Sequence, residues 1–239
     1  MVPGLNASHL PGRLYLIRHG QASLGTADYD RLSPLGQRQS RALGQRLREQ
    51  LPADLQRPWR GTLKRHHQTL DCLAPAAPPT VDPALNEYTV DGLIQSALAQ
   101  AIHLGLEPPG DKAFADPKAY LNTFLAWFPE VLSVWQEARL ECDHNGTWRA
   151  FHSRVLSPLA HWRGEMALGL SPVVVTSAGV ISTIVAELLG EDLAWQRELN
   201  VSLYNASVTV LELDQARDWA APVINCVLHL EQSADRTLA

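Results

Sequence analysis

The chain has 239 residues, 46 % of them apolar, and a formal net charge of −5. That length and apolar share suit a folded domain with a sizeable core and exclude a disordered chain. The acidic balance excludes broad nucleic-acid binding, which needs a basic face, but leaves room for a local basic pocket. Cys72, Cys142 and Cys226 are an odd number at wide spacing. They fit a reducing compartment, and neither a disulfide framework nor a zinc site. No basic flank followed by a long apolar run opens the chain. A signal peptide is therefore not expected, and a cytoplasmic protein is.

Residues 1–12 are marked by Pro and Gly and read as a loosely held lead-in. Leu14–Ile17 is an apolar run with the length of a buried strand. It ends abruptly in Arg18-His19-Gly20. Open α/β sheets bind ligands at the carboxyl ends of their strands, so this Arg and His are placed for chemistry. His19 can be a nucleophile and Arg18 can hold an anion through its planar fork of donors. The alternative is a strand end with two polar residues turning into solvent.

Ser33-Pro34 predicts a helix start, with Ser33 as cap and Pro34 at the first position. Leu35, Ala42, Leu43 and Leu47 would face the core, and Pro52 would close the helix. Residues 57–62 are a poor strand by themselves, and a second strand there rests on context alone. Residues 63–73 read as a helix, Thr80-Val81-Asp82 as a third strand, and Leu85-Asn86-Glu87-Tyr88 follows.

Residues 92–146 read as a helical insertion. Ile94, Leu98, Ala101 and Ile102 would form one apolar stripe. Leu121, Phe124, Leu125, Phe128, Val131, Leu132 and Trp135 would form another, with Pro129 bending or dividing that helix. A cap over a site and additional packing are equally open for it. A helix at about 147–164 would bury Trp148, Phe151, Val155, Leu159 and Trp162, with His152 on the apolar stripe and a kink at Pro158.

Residues 168–190 carry one charge over about the length of a membrane span. Pro172, Ser177 and Gly179 punctuate them, and Val173–Val175 is β-branched, so a buried strand feeding a buried helix is predicted instead. Ser207–Leu213 and Val223–Leu230 would complete the sheet. The whole predicts an α/β fold, a mainly parallel central sheet with helices on both faces, in a single domain over 1–239.

Further groups can join Arg18 and His19 at one sheet edge. Arg65 opens a helix, Glu87 follows a loop, and Thr176-Ser177-Ala178-Gly179 leads from a strand into a helix, whose N-terminus offers N–H groups to an anion. Cations and donors arranged in this way suit phosphoryl transfer. The arginines neutralise charge, so neither a metal nor another cofactor is expected.

This pattern resembles the histidine phosphatase superfamily, also called phosphoglycerate mutase-like, over most of the chain. Arg18-His19-Gly20 is similar to its nucleophile signature. Leu32-Ser33-Pro34-Leu35-Gly36-Gln37 resembles its next marker. Leu63-Lys64-Arg65 with Gln68-Thr69 resembles the segment with the second phosphate-binding arginine, and Leu85-Asn86-Glu87 the one with the proton donor. Each motif is short; their order along the chain carries the resemblance. It implies that His19 attacks phosphorus and becomes a phosphohistidine, that Glu87 protonates the departing oxygen, and that Arg18 and Arg65 clamp the phosphoryl group. Ser177 and Ala178 would complete the phosphate site.

The last segment departs from the family. Where the family usually has Val-Ser-His-Gly-Gly, this chain has Val175-Thr176-Ser177-Ala178-Gly179. Ser177 thus stands at the position of the second catalytic histidine, and His66 or His67 could supply an imidazole in its place. Ala22 stands where Ser or Thr is common. The mutase stretches are absent: Gly25 stands where they have Asn, and Glu87 leads into Tyr88-Thr89-Val90, so glycolytic mutase activity is not expected. Two readings follow: a phosphatase acting on a small phosphorylated substrate, or a catalytically weak or inactive member of the fold that binds a phosphorylated ligand or a protein partner. No membrane or nucleic-acid partner is expected, and a homodimer is allowed.

Overall fold

The computed structural model describes residues 12–23, 29–54, 56–110, 117–213 and 218–238, with the backbone alone for 117–124. The expectations for residues 1–11 and Gly25, and for the side chains of Leu121 and Phe124, lie outside the described residues.

A sheet of six strands runs through the centre. In chain order these are β1 (Leu14–Arg18), β2 (Gln56–Arg60), β3 (Thr80–Val81), β4 (Ser171–Thr176), β5 (Val208–Leu213) and β6 (Trp219–Cys226). Their order across the sheet is β3-β2-β4-β1-β5-β6. The β3-β2, β2-β4 and β4-β1 pairings are parallel, while β1-β5 and β5-β6 are antiparallel. The sheet is mainly parallel, with β1 inside it.

β1 is a strand because both of its faces are buried. Leu14 and Leu16 join a core with Trp59, Val174 and Leu211. Tyr15 and Ile17 point the other way, to Val173, Val175, Leu43, Leu47 and Leu70. This is the period-2 alternation of a pleated chain, applied to a segment with no polar side. Burying each Leu or Ile completely stabilises the fold by roughly 1.5–3 kcal/mol. Helices α1 (Pro34–Gln50) and α2 (Lys64–Leu73) cover one face. The other is covered by α3 (Val90–Leu104), α4 (Pro117–Gln136), α5 (Trp148–Leu156), α6 (Leu159–Ala167), α7 (Ala178–Leu189) and α8 (Leu193–Ser202). Among the described residues no helix is long and apolar enough to cross a membrane.

β2 forms despite Pro58 because β3 pairs with it only from Trp59 onward. At Pro58 it is still an edge strand, where a proline is tolerated. Ser33 caps α1 as expected, its hydroxyl accepting from the Gly36 amide at 3.0 Å. The start of α1 lies directly against the exit from β1. A Cβ on Gly36 would stand 2.1 Å from the Gln21 carbonyl oxygen, and one on Gly20 2.4 Å from the Gly36 oxygen. Gly36→Ala should therefore cost about 1–3 kcal/mol by overpacking, a fall of roughly 2–4 °C in Tm per kcal/mol. An unchanged thermal melt would show that the Gln21 loop can retreat.

Several expectations are corrected. The buried stripe of α3 is Leu93, Ala97, Ala101 and Leu104, while Leu98 is exposed and Ile102 is 99 % exposed. Both stripes are apolar, and the alanine-lined one allows the closer approach. α4 continues through Pro129, so the proline does not divide it. Pro158 separates α5 from α6 rather than kinking one helix. His152 lies near the surface with Nε2 3.1 Å from Glu187 Oε2. The last strand is 219–226, earlier than 223–230, and α8 was not expected at all.

Candidate active site

β1 and β4 run side by side in parallel, with Arg18 opposite Thr176. One residue further on, His19 and Ser177 stand together at the carboxyl ends of their strands. The His19 amide donates to the Thr176 carbonyl at 2.9 Å. Thr176 Oγ1 donates to the Leu85 carbonyl at 2.6 Å, tying the segment that carries Glu87 to the same strand end. The Gly20 amide donates to Thr69 Oγ1 at 3.1 Å, which fixes α2 to the loop after β1.

His19 is buried, and its tautomer follows from its contacts. Nδ1 lies 2.7 Å from the Gly20 carbonyl oxygen. A carbonyl only accepts, so Nδ1 carries the proton. Nε2 keeps its lone pair and accepts from Arg65 Nε at 3.2 Å. Burial, then the positive charges of Arg65 and Arg18, hold the imidazole pKa well below its ordinary 6.5. The ring is neutral and of fixed orientation, with a lone pair on Nε2.

Arg65 is held from two sides. Its Nη1 pairs with Asp30 Oδ1 at 2.7 Å, and its guanidinium lies over the Tyr29 ring, 5.7 Å from the centroid. Asp30 also accepts from the Lys64 amide at 2.9 Å, so it caps α2 as well as aiming its arginine. Asp30 was missed in the sequence. Its only signal there is an acid a few residues before the α1 cap, and the pairing is made by tertiary structure.

Arg18 is half-buried. It donates to the Leu203 carbonyl through Nη1, and its Nε has no hydrogen-bond partner among the described residues. Burial pushes its pKa down to about 10, against the opposing pull of Tyr29 and Glu87. Glu87 is also half-buried. Its Oε2 accepts from the Gly179 amide at 2.8 Å and its Oε1 from the Tyr88 amide at 3.1 Å. Burial raises its pKa above 4.5, while those two bonds and the charges of Arg65 and Arg18 oppose the rise. The carboxyl therefore holds its proton to higher pH than an exposed one. Behind it, the Tyr88 hydroxyl accepts from Asn200 Nδ2 at 2.7 Å.

Ser177 is the N-cap residue of α7, and Ala178 the first residue of that helix; both are buried. Of the two adjacent histidines, His66 enters the site and His67 does not. His66 Nε2 lies 2.8 Å from Ser177 Oγ, and its ring centroid is 5.7 Å from that of His19. His67 is half exposed and faces Asp71 across 3.3 Å on the helix surface. Arg18, His19, Arg65, Glu87, Ser177 and Ala178 thus gather at one end of the sheet. Among the described residues no three His, Cys, Asp or Glu stand close enough to hold a metal ion.

A neutral imidazole, two guanidinium groups, a helix N-terminus and a protonatable carboxyl can together bind an anion, attack it and protonate what leaves. Solved structures similar in fold carry related activities. The α-ribazole phosphatase from Shigella flexneri is 19 % identical, with a TM-score of 0.59 over 90 % of this chain and 96 % of that one. A mycobacterial glucosyl-3-phosphoglycerate phosphatase in complex with inorganic phosphate is 22 % identical, with a TM-score of 0.59 over 92 % and 99 %. The phosphoserine phosphatase from Entamoeba histolytica is 16 % identical, with a TM-score of 0.58 over 92 % and 99 %. No curated protein matches the chain by sequence. The model of the histidine phosphatase superfamily (branch 1) matches residues 14–106 and 117–226, and the chain belongs to that superfamily.

Proposed function

We propose that the protein hydrolyses a small phosphomonoester through a phosphohistidine on His19. The observation that carries this is the buried, neutral His19 ring, whose Nδ1 is anchored on Gly20 and whose Nε2 lone pair meets the Arg65 guanidinium. An entering phosphoryl oxygen takes over the Arg65 N–H, which frees Nε2. Nε2 then bonds to phosphorus as the P–O ester bond breaks. Glu87 gives its proton to the leaving oxygen, and the alcohol departs. Water then attacks phosphorus, the Glu87 carboxylate takes a proton from it, and the P–N bond breaks to return the lone pair to Nε2. Arg18, Arg65, the Ser177 hydroxyl and the Ala178 amide stabilise charge on the phosphoryl oxygens. Family membership supports this chemistry, and the phosphatases of similar fold act on small phosphorylated compounds.

Glu87→Gln tests the assignment. Attack needs neutral His19 and departure needs protonated Glu87. Activity should fall on acidification as His19 gains a proton, below its ordinary pKa, and fall on alkalinisation through the raised pKa of Glu87. Glu87→Gln should lower kcat/KM, which reports the first transfer and not the shared hydrolysis of the phosphohistidine, by about 10²–10⁴-fold on an alkyl phosphate and remove the alkaline limb. It should matter much less for para-nitrophenyl phosphate, whose leaving group needs no proton. Equal losses in kcat/KM on both substrates would refute Glu87 as the donor.

The second reading, a weak or inactive member of the fold that binds a phosphorylated ligand or protein, draws on Ser177. A neutral hydroxyl there makes a weaker bond than a charged donor. A parent that binds inorganic phosphate and turns over neither ester would favour it.

A further inference from the structure

Ser177 sits at the N-cap of α7 and does not cap it. A serine at that place ordinarily accepts from the amide two or three residues on. Here the amide two residues on, that of Gly179, is taken by Glu87. The Ser177 oxygen turns instead to His66 Nε2, 2.8 Å away. Neither group sees water: His66 is fully buried and Ser177 is 2 % exposed. The imidazole is wedged in place, because a Cβ on Gly61 would lie 2.4 Å from its Nδ1.

The direction of this bond matters. His66 Nδ1 is buried with no hydrogen-bond partner among the described residues. A proton on Nδ1 would be an orphaned buried donor, which is rare in folded proteins. With the proton on Nε2, the ring donates to Ser177 Oγ, and Nδ1 is left as a lone pair. Burial, then Arg65 and Arg60, keep the ring neutral, so the single proton stays on one nitrogen. The serine hydroxyl then keeps its own proton for another acceptor. His19 lies beside both residues.

This inference rests on the phosphoryl-transfer reading above. We propose that His66 is a positioning residue for Ser177: its Nε2–H holds the serine oxygen so that the hydroxyl proton is offered to a phosphoryl oxygen over His19. The opposite arrangement, with the hydroxyl donating to His66, would leave that phosphoryl oxygen without the donor.

The test uses the full chain with para-nitrophenyl phosphate turnover, inorganic phosphate binding by calorimetry, and thermal melts. The variants are Ser177→Ala, His66→Phe, His66→Gln and the Ser177→Ala/His66→Phe double. Ser177→Ala should lower kcat by about 10²-fold, and His66→Phe by a similar factor, with smaller changes in KM. If His66 acts only through Ser177, the double variant falls no further than Ser177→Ala, within about twofold. His66→Gln, whose amide N–H can reach the serine oxygen, should recover most of the activity. Losses that multiply to about 10⁴-fold in the double variant, or His66→Gln as poor as His66→Phe, would overturn the proposal. Should His66→Phe fail to fold, His66→Gln decides together with ¹⁵N NMR of the parent's ring nitrogens. There the proposal requires Nε2–H, and a proton on Nδ1 defeats it. A His19-dependent parent whose rate ignores His66 fails this proposal alone. A parent that neither turns over nor binds phosphate fails the phosphatase reading and this proposal with it.

Discussion

His19→Ala should abolish turnover, by about 10⁴-fold or more, as removal of an attacking group does in enzymes with a covalent intermediate. The methyl group of alanine leaves no lone pair to bond phosphorus. Two guanidinium groups and the start of α7 still surround the pocket, so phosphate binding should survive and even strengthen, since Arg65 no longer spends its Nε–H on the ring. The loss should therefore lie in kcat rather than in KM. Rapid quench of the parent in alkaline detergent during turnover should trap radiolabelled protein that is stable in base and labile in acid, and His19→Ala should trap none. Retention of more than a tenth of parental turnover would remove His19 from the mechanism.

Arg65→Met should lower kcat/KM by about 10²–10³-fold and displace the acid limb of the pH profile. Burial is the leading cause of the low His19 pKa, and Arg65 is the next. Deleting a neighbouring cation favours the imidazolium, so the folded-state pKa rises and activity is lost at higher pH than in the parent. The side chain left behind, Asp30, keeps the Lys64 amide and part of its surface in water, so the fold should tolerate the change. Arg65→Lys separates the two roles. A lysine returns the charge and much of the pH behaviour, but it cannot present the planar fork, so less of the rate should return. An acid limb that stays put in Arg65→Met would mean that Arg65 does not depress the His19 pKa, leaving burial and Arg18 to do so.

The parts legible in the sequence are those whose signal is local. Leu14–Ile17 has no polar side to expose, and Ser33-Pro34 is a cap with a helical first residue; both appear where the pattern puts them. The ends of β1 and β4 are adjacent in the sheet, so Arg18, His19, Ser177 and Ala178 meet as the strand–loop reading anticipates. α8 was illegible because its buried face is largely polar. Gln196 donates to Ser182 Oγ at 2.7 Å and Asn200 to the Tyr88 hydroxyl at 2.7 Å, and no apolar period marks such a face. β6 is half-exposed along its length and contains Pro222, so its start lacked a strand signature. The choice between His66 and His67 depends on one helical step of about 100°, resolved only by where α2 docks against β4. Asp30 meets Arg65 across 35 residues, a pairing for which no spacing rule exists.

The Arg65–His19 bond has a further consequence for the fate of the product. Arg65 Nε–H and the His19 Nε2 lone pair satisfy one another, so an anion that takes over that N–H exchanges for a bond already made. A hydrogen bond to a charged donor is worth about 1.5–3 kcal/mol, which corresponds to roughly a 10–100-fold handicap on occupancy. Inorganic phosphate faces that handicap with nothing but its own oxygens to offset it, whereas a substrate brings the contacts of its organic portion as well. If the protein hydrolyses phosphate esters as proposed, release of spent phosphate should be favoured and inhibition by accumulated product should be weak.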